Sequence, residues 1–584
     1  MNAAGTPQFV RRPVERLLPG VHPVLGRVYG ARGVGSVAEL SHDLKSLLPP
    51  DGLPDLEKAT GRLLNAVVTG QRILFVGDFD ADGATSVALG VSTLRRFGAE
   101  QVDFVVPNRF TYGYGLSPEI VDLAATRSPD LIVTVDNGVA SITGVERAKE
   151  LGIDVIITDH HLPGKELPQA LAVVNPVLPE SRFHSHALAG VGVIFYVLGR
   201  LRTALAQAGW FESKNIPVPN MADGLDLVAL GTVADVVPLD QNNRVLVAQG
   251  LARIRAGRAR PGIQALLQVS RRVAAKITAA DLGFAIGPRL NAAGRLDDMT
   301  IGIRCLLAST VEEARSLAIA LDQLNRARQE LEQTMVADAE LIVSGQLAAG
   351  ESRDGICVYD PGWHQGVVGI VAGRLKDRLH RPVIAFAEAG STAPDELKGS
   401  ARSVPGLHMR DLLDEIATSH LGLLPRFGGH AMAAGLSLKR IHFKQFATIF
   451  NRLVTTRLPA ESRDAVVYTD GVLGVDDISV ATADLLAGAG PWGQAFPEPL
   501  FEGEFDVISR RVVGEHHLKL TVSPRDTGAS AGRRRRLIDA IAFRQAERAV
   551  EPFAQATLTY RLARNDYGEA PTVQLVVEHL LPLA

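Results

Sequence analysis

From about Gln71 the chain alternates short apolar runs with longer amphipathic ones: ILFVG, ATSVALGVSTLRRFG, VDFVVP, SPEIVDLAAT, LIVTVD and DVIITD. The short runs have the length of buried strands, and the longer ones carry helical periodicity. That order predicts an α/β domain whose parallel strands are joined by crossover helices. Such sheets bind ligands beyond the carboxyl ends of their strands. The residues capable of chemistry fall there: Asp78, Asp80 and Asp82 after the first run, Asp136 after LIVTV, and Asp159, His160 and His161 after DVIIT. Side chains remote in sequence are therefore expected to converge on one sheet edge.

In GDFDADG, residues 77–83, three aspartates alternate with other residues, and alternation at period two puts side chains on one face of an extended chain. Clustered carboxylates raise one another's pKa and need a cation or water to be tolerable. A hard divalent metal is the natural partner. Taken alone, the segment also fits a solvated aspartate turn or a calcium loop, although the later bidentate Glu of an EF-hand is missing. TDHH, residues 158–161, adds adjacent imidazoles, one suited to a metal and the other to a substrate phosphate. Asp136 in TVDNG and Asp235 in GTVADVVP each end an apolar run, where helix capping is the alternative. Together, five acidic residues and two histidines meet the needs of a two-metal site, oxygen-rich with one bridging carboxylate.

The 584 residues predict three or four domains at ~100 to 200 residues each. After a loop at 214–220, the site pattern resumes with LVALGTVADVVPLD; residues 311–344 are rich in helix formers and free of Gly and Pro, which predicts a long helix between domains. A second α/β segment follows, with GICVYD, VVGIVAGRLKDRL, PVIAFAE and KGSARS, and beyond about Arg463 come five β patterns, EFDVISRRVVG to TVQLVVEHL, that predict a small β-barrel. The expected organisation is an N-terminal segment (1–52), a parallel-sheet domain (53–305), a connecting helix (306–345), a second α/β domain (346–460) and the barrel (464–584). The polar loop 524–536 ends in four arginines and reads either as a solvated hairpin tip or as a nucleic-acid contact.

Hydrophobic residues make up 46% and charged residues 21%, which excludes a disordered chain. The net charge of -3 means that a nucleic acid would have to be held by a local basic groove, not by bulk charge. Cys305 and Cys357 lack the spacing of a zinc site or disulfide framework and read as buried apolar residues in a reducing compartment. Arg11, Arg12, Glu15 and Arg16 break up any signal-peptide core, and Asp226 and Asp235 interrupt the apolar stretch 225–239 short of the ~18 residues a membrane span needs. A cytoplasmic protein without a membrane partner is expected.

The ordered set GDFDADG, TVDNG, TDHH and GTVADVVP resembles the motifs of the DHH phosphoesterase superfamily, and GPRLNAAGRL, GWHQGVVGIVAGRL, KGSARS and FGGHAMAAG resemble those of its RecJ branch. The resemblance covers nearly the whole chain. It implies a DHH catalytic domain, a DHH-associated substrate-binding domain and a C-terminal OB-fold. It also implies a single-stranded-DNA-specific exonuclease that degrades 5′ to 3′ to 5′ mononucleotides. Two divalent ions, Mn²⁺ or Mg²⁺, would serve the reaction. By the same resemblance Asp80 ligates one metal and Asp82 the other, Asp136 bridges, His160 and Asp235 complete the second site, Asp78 supports the first, and His161 faces the scissile phosphate. One departure stands out: many members carry a His four residues before the position of Asp80, where this chain has Val76.

In NRFTYGYG, Arg109 is interleaved with Phe110, Tyr112 and Tyr114, a mixture suited to stacking single-stranded bases; rings tucked into the core are the alternative. Ser400 and Arg402 in GSARS suit a terminal phosphate, and the resemblance assigns Arg109, Ser400 and Arg402 to a 5′-phosphate pocket. Asn291 and Arg295 are expected to contact the strand backbone, and Gly428, Gly429 and His430 to form a phosphate-facing turn, with tight packing the competing role for the glycines. His364 in GWHQG is open to either role. A groove between two lobes, too narrow for duplex, would explain single-strand preference. Recombination and repair beside single-strand-binding protein and a helicase are implied as well. The rivals are a relative acting on short oligoribonucleotides or cyclic dinucleotides, and a non-catalytic nucleic-acid-binding subunit. An extended grip argues against the first, and the intact acidic set against the second.

Overall fold

The computed structural model describes residues 7–109, 111–348, 354–390, 393–525, 536–549 and 553–583. They form two compact units: Arg11–Asp322 with Tyr468–Ala584, and Met1–Val10 with Gln323–Val467.

The first unit is built on the expected parallel sheet. Its elements are β1 (Ile73–Gly77), α1 (Ala81–Arg96), β2 (Val102–Val105), α2 (Pro118–Ala125), β3 (Leu131–Val135), α3 (Ile142–Glu150), β4 (Asp154–Thr158) and β5 (Ala172–Val174). The strand order is β2-β1-β3-β4-β5, and all pairings are parallel. Strands β1 and β3 are buried throughout, as continuous apolar runs covered on both faces must be. Leu74, Val76, Ile132, Val155 and Ile157 pack with Ile120, Val121 and Ala124 of α2 and with Val145 and Ala148 of α3. Toward α1 the fit is closer still, since a Cβ on Gly90 would lie 2.5 Å from the Phe75 ring. Register then sets the site: Gly77 pairs with Val135, and Val135 with Thr158. The residues that follow, Asp78, Asp136 and Asp159, therefore leave the sheet at one level.

Among the further helices of this unit are α4 (Gly190–Gln207), α5 (Leu225–Ala234) and α6 (Gly287–Leu296), and the long α7 (Val311–Ala348) starts in this unit and continues into the second. The five C-terminal patterns form β strands Phe501–Val513, His517–Pro524, Ile538–Ala542, Gln555–Asn565 and Thr572–Pro582, closed into a barrel. Alternation fills its interior with Leu518, Leu520, Val522, Phe505 and Tyr560. Polar and aromatic contacts bind the barrel end of the chain to the sheet domain in one unit. Arg32 meets buried Asp470 at 2.7 Å, Tyr29 stacks on Trp492 at 6.1 Å, and the Leu239 N–H donates to the Gln494 carbonyl at 2.8 Å.

The second unit holds a mixed five-stranded sheet. Its elements are β6 (Ile356–Tyr359), α8 (Val368–Leu379), β7 (Val383–Glu388), β8 (Glu396–Arg402), α9 (Met409–Ser419), β9 (Arg426–Gly429), β10 (Ala433–Lys439) and α10 (Phe443–Arg457). The strand order is β9-β10-β8-β7-β6, and Ile384, Phe386, Leu436, Phe446 and Phe450 centre its core. Cys305 and Cys357 are buried and form no disulfide. Among the described residues no helix is long and apolar enough to cross a membrane.

Candidate metal centre

The aspartate loop departs from the extended geometry that its alternation suggests. The chain is a strand only to Gly77. Asp80 caps α1, its Oδ1 accepting the N–H groups of Asp82 at 2.9 Å and Gly83 at 3.0 Å, so Asp82 stands in the first helical turn. The reason is capping: aspartate satisfies the orphan N–H groups of a helix start better than almost any residue. Gly83 is required because a Cβ there would lie 2.5 Å from the Asp78 carbonyl oxygen. The helical turn aims Asp82 away from its neighbours, where Oδ2 accepts the Gly190 N–H at 2.6 Å and Oδ1 the Val191 N–H at 3.0 Å. These are the first residues of α4, whose N-terminal dipole favours an anion.

Three further side chains close the nest. Asp136 follows β3 with φ 61°, a left-handed backbone uncommon outside glycine and concentrated at functional positions. His160 Nε2 stands 3.0 Å from Asp136 Oδ1 and 3.5 Å from Oδ2 of Asp235, the residue capping the C-terminus of α5. Candidate ligand atoms lie within 4.8 Å of one another in three sets: Asp78, Asp80 and Asp136; Asp82, His160 and Asp235; and Asp136, His160 and His161. Asp136 is common to the first and third.

Glycines let these groups approach. A Cβ on Gly190 would lie 2.6 Å from Asp136 Cβ, and one on Gly231 2.3 Å from Thr85 Oγ1 and 2.7 Å from Asp82 Oδ1. Burial, with the neighbouring carboxylates, holds the pKa values of Asp78, Asp136 and Asp235 well above the usual range and that of Asp82 at about 7. Asp136 Oδ1 and Asp235 Oδ2 are buried facing His160 Nε2, and among the described residues no group donates a hydrogen bond to them. A nest of carboxylates too crowded to ionise together, with two orphaned oxygens and an imidazole among them, fits hard divalent cations. Val76, where the family pattern has a histidine, is fully buried in the sheet core and offers no ligand.

Around the nest, Asp159 organises the histidine loop. It accepts the Val139 N–H at 2.9 Å, the His160 N–H at 2.8 Å, the His161 N–H at 3.1 Å and His161 Nδ1 at 2.7 Å. Burial opposes its ionisation, but the His161 hydrogen bond and charge outweigh burial and hold its pKa below the usual range. Burial would lower His161 in turn; its bond to Asp159 raises it instead. Tyr114 donates to the Asp136 carbonyl at 3.2 Å, stands 3.1 Å from His161 Nδ1, and packs edge-on against that ring. Burial and the Asp159 charge raise its phenol pKa. Tyr112 is 36% exposed. The Arg109 guanidinium lies 4.6 Å from the centre of the Phe79 ring; burial lowers its pKa, with Asp78 and Asp80 opposing. Phe110 lies outside the described residues, as do residues 526–535 of the arginine-ended loop.

Asn291 and Arg295 stand on α6. Asn291 Oδ1 accepts the Ala81 N–H at 2.8 Å, and a Cβ on Gly294 would lie 1.8 Å from the Phe79 carbonyl oxygen. The GPRLNAAGRL segment thus braces the aspartate loop, and the side-chain carbonyl of Asn291 is committed to that task. Arg295 is in the last turn of the helix.

The remaining expected residues gather in the second unit. Arg402 Nη1 donates to Ser400 Oγ at 3.2 Å and to the Ala401 carbonyl at 2.8 Å. Burial lowers the Arg402 pKa, and among the described residues no carboxylate lies within ion-pair distance. A Cβ on Gly369, in the first turn of α8, would lie 2.8 Å from Ser400 Oγ and 3.1 Å from Arg402 Nη2, so both face a helix N-terminus. Across the sheet Ser400 pairs with Gly435 and Gly435 with Gly428, and neither glycine has an atom within 4 Å of where a Cβ would stand. Gly429 has φ 142°, and its Cβ would meet Ala433 O at 2.5 Å, so packing fixes it as glycine. The His430 N–H donates to that carbonyl at 2.8 Å.

Comparison with known proteins decides the family. The chain is 51% identical over 586 residues to the single-stranded-DNA-specific exonuclease RecJ of Escherichia coli (strain K12), covering 99% of each chain. The chain belongs to the RecJ family. The RecJ protein of Haemophilus influenzae is 48% identical over 567 residues, 96% of each chain. Residues 72–232 match the DHH family N-terminal domain, 353–456 the DHHA1 domain and 469–579 the RecJ OB domain. The crystal structure of RecJ in complex with Mn²⁺ from Thermus thermophilus superposes with a TM-score of 0.79 at 28% identity, covering all of this chain and 80% of that one. A Mg²⁺ complex of the same protein gives 0.73.

For this RecJ family member, sequence reasoning named the residues of the nest but missed several that hold it. Asp159 is placed at the sheet edge by its position after DVIIT, but the sequence assigns it no role. Gly190 and Val191, whose N–H groups take Asp82, sit in AGVGV, where a glycine-rich helix start is the available signal. Gly231, in GTVAD, carried none.

Proposed function

We propose that this chain is a single-stranded-DNA-specific exonuclease that degrades from the 5′ end and releases 5′ mononucleotides. The observation that carries the reading is the convergence of Asp78, Asp80 and Asp136, and of Asp82, His160 and Asp235, on adjoining clusters. In this reading Asp78, Asp80 and Asp136 would hold one divalent ion and Asp82, His160 and Asp235 another, with Asp136 the carboxylate they would share. When bound, such ions would supply a clamp for the attacking and leaving oxygens and lower the pKa of a water for in-line attack on phosphorus. Mn²⁺ and Mg²⁺ suit the oxygen-rich donors, and the imidazole favours Mn²⁺; a relative crystallised with each ion in turn supports this.

The protein's own residues supply the rest. Asp159 holds His161 with Nδ1 occupied, leaving the other ring nitrogen for a phosphate oxygen. Arg109, balanced against Asp78 and Asp80, brings a cation to the phosphate's path. Ser400 and the uncompensated Arg402, at the start of α8, suit a 5′-terminal phosphate. Gly428 and Gly429, with the His430 backbone, provide a floor over which a strand backbone passes, and Tyr112 and Tyr114 edge the entry. Asn291 acts by bracing the aspartate loop, and Arg295 by contacting the strand. The catalytic domain is taken as 53–305, the substrate-binding domain as 346–460 and the OB-fold as 464–584. The protein works in the cytoplasm, in recombination and repair, with single-strand-binding protein and a helicase.

Timed digestion of one oligonucleotide labelled at either end, with Mn²⁺ or Mg²⁺, tests this reading. Immediate release of labelled mononucleotide from the 5′ label alone is expected. Early release from the 3′ label, or equal rates on single-stranded and duplex substrates at matched salt, would overturn it.

A further inference from the structure

Phe284 is 85% exposed within a single π turn, Leu282–Ile286, that leads into α6. Its neighbours Leu282, Ala285 and Ile286 are buried, so the turn packs its other apolar side chains and directs the largest one outward. A π turn inserts an extra residue into a helix, at the expense of regular hydrogen bonding, and is frequent at functional positions. This turn lies against the end of α5, the helix capped by Asp235. A Cβ on Gly283 would lie 3.2 Å from Val233 Cγ1, and one on Gly287 3.2 Å from Ala234 Cβ. On the far side of Asp235 the pattern recurs: Val236 is 63% exposed with φ 61°, a left-handed conformation that a β-branched residue adopts only under constraint. Apolar side chains are thus turned to solvent by irregular backbone beside a residue of the metal nest. Folding alone gains nothing from that arrangement, since burial is where an aromatic ring stabilises.

We propose that Phe284 is a stacking platform for an unpaired base of the strand close to the scissile phosphate. The inference rests on the exonuclease reading above. Single strands are gripped by rings on which bases stack, with little regard to sequence. A ring fixed to the helix end that carries Asp235 sets the strand in register with the nest. It also favours a strand whose bases are free to stack, which duplex bases are not.

The test uses the full chain and a 5′-phosphorylated single strand carrying one abasic residue at each of its first six positions in turn. In the wild type, one position is expected at which the abasic residue lowers kcat/KM by roughly tenfold, within the range of a base–aromatic stack. Phe284→Ala is expected to lower kcat/KM on the intact strand by a similar factor, mainly through KM, and to be indifferent to the abasic residue at that position. Phe284→Leu should match the alanine variant, whereas Phe284→Trp should retain the wild-type pattern. Abasic penalties that run parallel in wild type and Phe284→Ala at every position would overturn the inference while leaving the exonuclease reading intact. A wild-type chain inert on the intact strand would overturn that reading, and this inference with it.

Discussion

Replacing Asp159 by Asn isolates a residue that belongs to none of the three candidate ligand sets yet holds the loop carrying His160 and His161. Its carboxylate accepts four hydrogen bonds, three from backbone N–H groups and one from His161 Nδ1. Asparagine keeps the shape but turns one acceptor into a donor, so one of those four N–H groups meets an N–H. A hydrogen bond to a charged group contributes about 1.5–3 kcal/mol, and the survivors lose their charge assistance. Part of that loss is offset because Asp159 also repels Asp235. A net destabilisation of about 2–3 kcal/mol follows from these magnitudes. Freed from its anchor, His161 should cost the reaction about 10- to 100-fold, as is usual for groups that orient metal-site residues, or about 1.4–2.8 kcal/mol of barrier. The destabilisation also has a pH signature. His161, raised by Asp159 in the wild type, contributes stability below its unfolded pKa of about 6.5, and that contribution is lost as pH rises through its folded value. The variant should therefore fall furthest behind the wild type near pH 5.5 and less far behind at pH 8.5. Melting of the metal-free proteins at both pH values, with initial rates on a 5′-labelled single strand, provides the assay. Activity within about twofold of wild type, with no pH-dependent difference in melting, would refute the reasoning.

Three further outcomes follow from the same geometry. Gly231→Ala drives a methyl group to 2.7 Å from Asp82 Oδ1; it should destabilise by about 1–3 kcal/mol and abolish the rise in Tm on adding Mn²⁺, and a wild-type Mn²⁺ titration would contradict the crowding argument. Asp78, Asp82, Asp136 and Asp235 have raised pKa values, so their folded forms hold protons that the unfolded chain has released; metal-free stability should fall between about pH 4 and 7, while the Mn²⁺-induced rise in Tm grows over the same interval. A Mn²⁺ effect that is flat with pH would contradict this. Arg402→Ala should slow digestion of 5′-phosphorylated ends at least tenfold more than of 5′-hydroxyl ends, measured on paired oligonucleotides, and equal loss on both would dismiss the phosphate pocket.

Where local pattern decides structure, the sequence was an adequate guide. The apolar runs became buried strands, their common register placed Asp78, Asp136 and Asp159 at one level, and the alternating C-terminal segments closed into a barrel. The aspartate triplet misled because period two and a helix cap are indistinguishable at this length, and capping by Asp80 prevailed. What holds the nest was illegible for a different reason: the Asp82 bond to Gly190 spans 108 residues, and the Ala81 bond to Asn291 spans 210. Contacts of that range leave no periodic trace. Exposed Phe284 was equally hidden, since nothing in LGFAI announces a π turn.

Anomalous diffraction from crystals grown with Mn²⁺ tests the paired-ion nest most directly. Two peaks are expected, about 3.5–4 Å apart, one among Asp78, Asp80 and Asp136 and the other among Asp82, His160 and Asp235. A single peak, or density seated elsewhere, would contradict the account.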